Sequence, residues 1–183
     1  MSRAGPELKK GLVGLLAGVG LLGCGGPNSL SGSVEELFPL DVSRVEVLRN
    51  AEALQVSYYR NAGQDVDLVV RLTLATEGLD LRPGQKVNLA GFTELGTART
   101  TVVHLSAGEP ARLLGPVDRG DLKLDEGGEI GQPTSGDFSL SFQRGDSYGA
   151  GRSLEGRFSA VALDAGFGPE PLPPSTGLPK EGG

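Results

Sequence analysis

Along most of the chain the apolar residues recur at every second position, the spacing that sends alternate side chains to opposite faces of a β-sheet. Val45 and Val47 alternate with Arg44 and Glu46, and Leu54, Val56 and Tyr58 alternate with Gln55, Ser57 and Tyr59. After a turn at Asn61-Ala62-Gly63-Gln64, Val66, Leu68, Val70, Leu72 and Leu74 are expected on one face and Asp65, Asp67, Arg71 and Thr73 on the other. Residues 52–75 therefore read as a hairpin. Arg82-Pro83-Gly84-Gln85 holds Pro and Gly in the order a tight turn favours, leading into Val87, Leu89 and Phe92. Shorter strands fit Thr101–Leu105, Ala111–Leu114 and Asp121–Leu124. Phe138, Leu140 and Phe142 then alternate with Ser139, Ser141 and Gln143, and Leu154, Gly156, Phe158 and Ala160 return after a glycine-rich connection at 145–151. Beyond residue 24 no apolar run at helical spacing exceeds one or two turns. The pattern predicts an all-β chain, an antiparallel β-sandwich or barrel-like domain of about seven to nine short strands.

The two ends break the pattern. Gly25–Gly32 (GGPNSLSG) is small, polar and rich in breakers, and Ser33-Val34-Glu35-Glu36 offers a capping box for a helix of one turn closed by Pro39. Residues 24–41 read as a tether whose extended reach approaches ~58 Å at about 3.4 Å per residue, so the domain they lead to need not press on a surface at their origin. The β-rich domain is assigned to 42–165. Residues 166–183 hold five prolines and few apolar side chains, the composition of a disordered tail.

The first ten residues carry Arg3, Lys9 and Lys10 against one acid, Glu7, and Gly11–Gly23 (GLVGLLAGVGLLG) is uncharged. As a helix this run would be about 20 Å long, too short for a hydrocarbon core of about 30 Å, and a positive segment followed by such a run is the pattern of an export signal. Its ending, Leu21-Leu22-Gly23-Cys24, resembles the lipobox of bacterial lipoproteins. The resemblance implies cleavage between Gly23 and Cys24, a diacylglyceryl thioether on Cys24 and a further acyl chain on the new amino terminus, a set of chains that anchors firmly. With Gly25 rather than Asp after the Cys, it implies the outer membrane. Gly18-x-Gly20-x-x-Gly23 matches the dinucleotide fingerprint in form only, because it lies inside the signal with no strand before it.

The full chain has a formal charge of −6, and removal of 1–23 leaves 14 basic and 22 acidic residues, a charge of −8. That balance disfavours nucleic acid as a partner. No Cys remains for a disulfide once Cys24 is lipidated.

Two further stretches carry a second resemblance. Leu30–Asp41 leading into Val45-x-Val47 and Leu54-x-Val56-x-Tyr58, together with Gly120-Asp-Leu-Lys-Leu124, Ser135-Gly-Asp-Phe-x-Leu-x-Phe142 and Leu154-x-Gly156-x-Phe158-Ser159-Ala160, are similar to uncharacterised lipoproteins numerous in myxobacteria. The similarity implies an envelope location and a β-rich fold, and brings no catalytic residue with it.

Candidate chemistry is sparse. The one His, His104, is expected to point away from a core faced by Thr101, Val103 and Leu105, and with no second His and no thiol there is no zinc set and no Cys-His pair. Ser and Asp are plentiful enough for a Ser-His-Asp triad, but no G-x-S-x-G elbow is present. The acidic stretch Asp118–Glu129 fails the calcium-loop template, since Gly120, Leu122 and Lys123 fall where ligands and the turn glycine belong. Asp121, Lys123 and Asp125 read instead as a solvated strand face. Arg-Gly-Asp occurs at 119–121 and 144–146 as an ordinary product of turn composition. The expected protein is a lipid-anchored, non-catalytic binding or structural module of the cell envelope without metal or cofactor, engaging an envelope protein or a glycan. An envelope hydrolase working on glycans with Ser or carboxylate chemistry is the alternative.

Cell fractionation and intact mass test the anchor: the wild type is expected in the membrane fraction with an acylated Cys24, and Cys24→Ala in the soluble fraction without it. A soluble, unacylated wild type would remove the lipobox reading.

Overall fold

A computed structural model describes residues 27–62 and 65–164. The expected signal segment 1–23, Cys24 and the expected tail 166–183 lie outside the described residues. Ten strands are present among these: β1 (Ser29–Ser31), β2 (Arg44–Arg49), β3 (Ala53–Ala62), β4 (Asp65–Ala75), β5 (Lys86–Asn88), β6 (Thr100–Leu105), β7 (Arg112–Leu113), β8 (Val117–Glu126), β9 (Pro133–Phe142) and β10 (Ser153–Asp164). A 3-10 turn, Ser33–Glu36, is the one helical element among them, and no described helix is long and apolar enough to cross a membrane. The strands hydrogen-bond in the order β5-β8-β9-β10-β2-β3-β4-β6-β7, with β1 also on β10, and curl into a half-barrel. The chain is all-β as its alternation predicts. One pairing departs from an antiparallel reading: β10 runs parallel to β2, with Ala162 opposite Val47.

The core forms where the alternation is cleanest. Leu54, Val56 and Tyr58 of β3, Leu122 and Leu124 of β8, Phe138, Leu140 and Phe142 of β9 and Leu154 and Phe158 of β10 share one buried cluster, and full burial of each large side chain contributes about 1.5–3 kcal/mol. Tyr58 crosses this core. Its ring meets Phe138 edge-on at 6.2 Å and its hydroxyl donates to the Arg157 carbonyl at 3.1 Å. Gly156 lies beneath the crossing, where a Cβ would come within 2.4 Å of the Phe138 ring and 2.8 Å of the Tyr58 hydroxyl. Burial pushes the Tyr58 phenol well above its ordinary pKa, so it stays a hydrogen-bond donor.

Three expectations need correction. The first is the extent of the tether. From Ser29 onward, the segment assigned to it is built into the domain: β1 pairs with Arg157–Glu155 of β10, and Val34, Phe38 and Leu40 are buried in the core. The predicted capping box does not form, because Gly32 at φ +131 is the N-cap and no side chain caps the turn. Ser33 Oγ instead accepts from the Ser153 amide at 2.9 Å, and Glu36 pairs with Arg152. The chain comes so close to β10 here that a Cβ on Gly32 would sit 2.4 Å from the Ser153 carbonyl oxygen.

The second correction concerns β4. Tyr58 pairs with Val70 but Tyr59 with Leu68, so Val69 is an extra, bulged residue, and a single extra residue reverses which face its neighbours occupy. Val70, Leu72 and Leu74 face the core as expected, whereas Leu68 turns to the face of Tyr59, Asp67 turns inward and Val66 is left 54% exposed. The third is the face of β6. Thr100 lies opposite Leu74 and Val102 opposite Leu72, so the even positions face the core, His104 among them at 5% exposure.

Gly156→Ala is expected to lower unfolding free energy by about 1–3 kcal/mol through overpacking, and Tyr58→Phe by about 1 kcal/mol through loss of one buried hydrogen bond. Urea unfolding measures both; an unchanged midpoint for Gly156→Ala would show that the rings can move aside.

Candidate functional site

The half-barrel does not close between its edge strands β5 and β7, and a cleft of about 810 Å³ lies along that seam. Its size falls in the range of ligand pockets, about 300–1,000 Å³. Three stretches far apart in sequence build it. The segment after β5 contributes Ala90 and Phe92, the β7–β8 connection contributes Leu113, Leu114 and Val117, and the loop after β9 contributes Gln143, Ser147 and Tyr148. The wall is largely apolar, and Asn88 and Asp118 add polar groups to it.

The segment carrying Phe92 is itself a small hairpin. Phe92 and Ala98 form an isolated bridge, Thr93 and Thr97 bond through backbone and hydroxyl groups, and the Arg99 guanidinium donates to the carbonyls of Ala75, Glu77 and Phe92. This frame holds Phe92 65% and Leu95 86% exposed, so large apolar surface stands in solvent beside the cleft. Opposite, Tyr148 stacks toward Phe38 at 6.3 Å and carries the Arg112 guanidinium 5.1 Å from its ring centroid.

Thr100 and Thr101, at the start of β6, also line the cleft. Both are buried, and neither hydroxyl has a hydrogen-bond partner. An unpaired buried hydroxyl costs about 1–3 kcal/mol, which both residues bear in this fold. Sequence reading placed Thr101 on the core side and did not single out either residue, since two adjacent threonines on a strand carry no motif.

The chain matches no protein-family model, no curated protein and no solved structure.

The residues weighed from sequence are distributed elsewhere. Leu122 and Leu124 of β8 are buried, and Asp121, Lys123 and Asp125 lie on its outer face, with Lys123 paired to Asp125 at 3.1 Å and Lys86 to Asp121 at 3.8 Å. Glu155 and Asp137 share that outer face on β10 and β9. Among the described residues no three or more His, Cys, Asp or Glu side chains are placed to hold a metal ion. Arg119-Gly-Asp121 is extended within β8, and Arg144-Gly-Asp146 lies in the loop after β9.

His104 differs most from expectation. Its ring stacks on Phe38 at 3.9 Å and 9°, Nδ1 lies 2.8 Å from the Val69 carbonyl and Nε2 lies 3.1 Å from Ser106 Oγ. Asp67, turned inward by the bulge, accepts from Arg60 at 2.6 Å and from the Ala107 amide at 2.8 Å. The Arg60 hydrogen bond is the largest cause, with the Ala107 amide next, holding the Asp67 carboxyl below its ordinary value.

A carboxyl held low when folded contributes stability that is present above its unfolded pKa of about 3.9 and is lost as pH falls through the lower folded value. Asp67→Asn is therefore expected to be less stable than wild type at pH 6, with a shallower loss on acidification from about pH 5 to pH 2. Parallel pH-dependent unfolding curves for the two proteins would show that Asp67 contributes nothing to acid sensitivity.

Proposed function

We propose that this protein is a lipid-anchored module of the cell envelope, held to the outer membrane through Cys24, that captures a partner in the seam cleft without transforming it. The observation that carries the reading is the cleft itself: a largely apolar concavity of about 810 Å³, with Phe92 on its wall and 65% exposed. Concave apolar sites with a few polar groups are the usual form of a binding pocket.

The partner that fits is an extended polypeptide segment with an apolar side chain, rather than a glycan. Apolar lining favours such a side chain, and the unclosed edges of β5 and β7 leave main-chain groups that a strand-like segment can pair with. Hydrolysis at a serine is the second reading, and the contact between Ser106 and His104 is the observation that favours it.

The test uses the mature chain with a photo-crosslinking residue at Leu95, exposed to envelope extract, followed by affinity measurement on synthetic peptides from the crosslinked partner. Phe92→Ala is expected to weaken peptide binding at least ten-fold. Thr100→Val is expected to raise stability by about 1–2 kcal/mol, because it removes an unpaired buried hydroxyl, and urea unfolding measures it. Equal affinity of wild type and Phe92→Ala for the partner would move the binding surface away from the cleft.

A further inference from the structure

The bulge at Val69 and the true face of β6 bring together four groups that sequence spacing keeps apart. Asp67 and Val69 lie on β4, and His104 lies on the adjoining β6 with Ser106 just past its end. The Val69 carbonyl can only accept, so the His104 nitrogen 2.8 Å from it, Nδ1, carries the proton. In the neutral ring Nε2 is then a bare acceptor, and the Ser106 hydroxyl 3.1 Å away is the donor to it. The Phe38 ring, parallel at 3.9 Å, fixes the plane in which that lone pair points.

This is the arrangement required of an activated serine: a nucleophile bonded to a base whose other nitrogen is oriented by an acceptor. A carbonyl fills the orienting role here. The nearby negative charge is on Asp67, which is held by Arg60 and by the amide of Ala107, the residue after Ser106. Ser106 is partly exposed, and it opens a turn in which Glu109 N–H donates to the Ser106 carbonyl at 3.0 Å while Ala107, Gly108 and Glu109 are exposed.

We propose that Ser106 is a nucleophile with His104 as its general base, accepting acyl groups from carboxylic esters. Ser106 Oγ bonds to the ester carbonyl carbon as its proton passes to His104 Nε2. The imidazolium so formed keeps its hydrogen bond to the Val69 carbonyl and faces the Asp67 charge. Its proton then passes to the departing alkoxide as the ester C–O bond breaks, leaving an acyl-Ser106. Water, deprotonated by the same nitrogen, attacks that acyl group and releases the carboxylic acid, restoring the hydroxyl. The inference deepens the serine-hydrolysis reading and is independent of the cleft, since Thr100 and Ser106 lie at opposite ends of β6, six residue steps or about 20 Å of extended chain apart.

The probe is an alkyl fluorophosphonate, which phosphonylates an activated serine with loss of fluoride and a proton, applied to the full mature chain and mapped by peptide mass. A single adduct on Ser106 is expected, absent in Ser106→Ala. Labelling is expected to be at least ten-fold slower in His104→Phe, which keeps a ring against Phe38, with circular dichroism reporting whether that variant folds. Phe92→Ala is expected to label at the wild-type rate, which separates this result from the cleft reading. No adduct on the wild type, adducts spread over several serines without preference, or a folded His104→Phe labelling as fast as wild type would each overturn the proposal. Should His104→Phe fail to fold, the position of the wild-type adduct and its loss in Ser106→Ala decide.

Discussion

One strand, β10, completes two ladders, and the rest of the molecule depends on that sharing. Along its first half it pairs with β9 on one side and β1 on the other, and along its last residues its second edge passes to β2, with Ala162 opposite Val47. At the changeover the Ser159 amide donates to Asn28 Oδ1 at 2.7 Å, so the backbone group between the two strand partners is still paired. Because β1 and β2 share one edge, the sheet must bend between them. The bend carries β3 over β9, which is why Tyr58 meets Phe138 and why no side chain fits at Gly156. It also sets the far edges β5 and β7 apart, and the cleft between them is what remains of a barrel that does not close.

How much of this was legible depended on whether the alternation was clean. At 54–58 and 138–142 apolar and polar residues alternate strictly, and at 154–158 Gly156 takes the inward place between Leu154 and Phe158, so the core face was read correctly. At Leu68-Val69-Val70 three apolar residues stand together, a break in period two that marks the bulge in retrospect. In Thr100-Thr101-Val102-Val103 the pattern is the same in either register, so only the pairing with Leu72 and Leu74 decides that His104 faces inward. The exchange of face is what joins Asp67, Val69, His104 and Ser106, and no local motif could announce it.

The cleft was illegible for a different reason. Its lining comes from residues near 90, 115 and 145, each an ordinary loop in sequence, and its apolar character exists only when β7 and the β5 extension lie side by side. Sequence motifs record chemistry that is local along the chain. A seam is a property of strand order, and strand order follows from β10 having two partners on one edge.

The same sharing changes how a lipid-anchored form of this protein would stand on its membrane. Read as a tether, residues 24–41 would allow the domain to float up to ~58 Å away at about 3.4 Å per residue. With β1 paired to β10 from Ser29 and Val34, Phe38 and Leu40 in the core, the five steps from Cys24 to Ser29 span at most about 17 Å. A domain on so short a lead keeps the β1 end of β10 close to the lipid surface. Pulling the anchor would then load β1 first, and beyond it the Glu36–Arg152 pair and the Phe38 ring stacked on His104. The N-terminal segment thus belongs to the fold, and the stacking of Phe38 on His104 ties the position of that ring to the turn that follows β1.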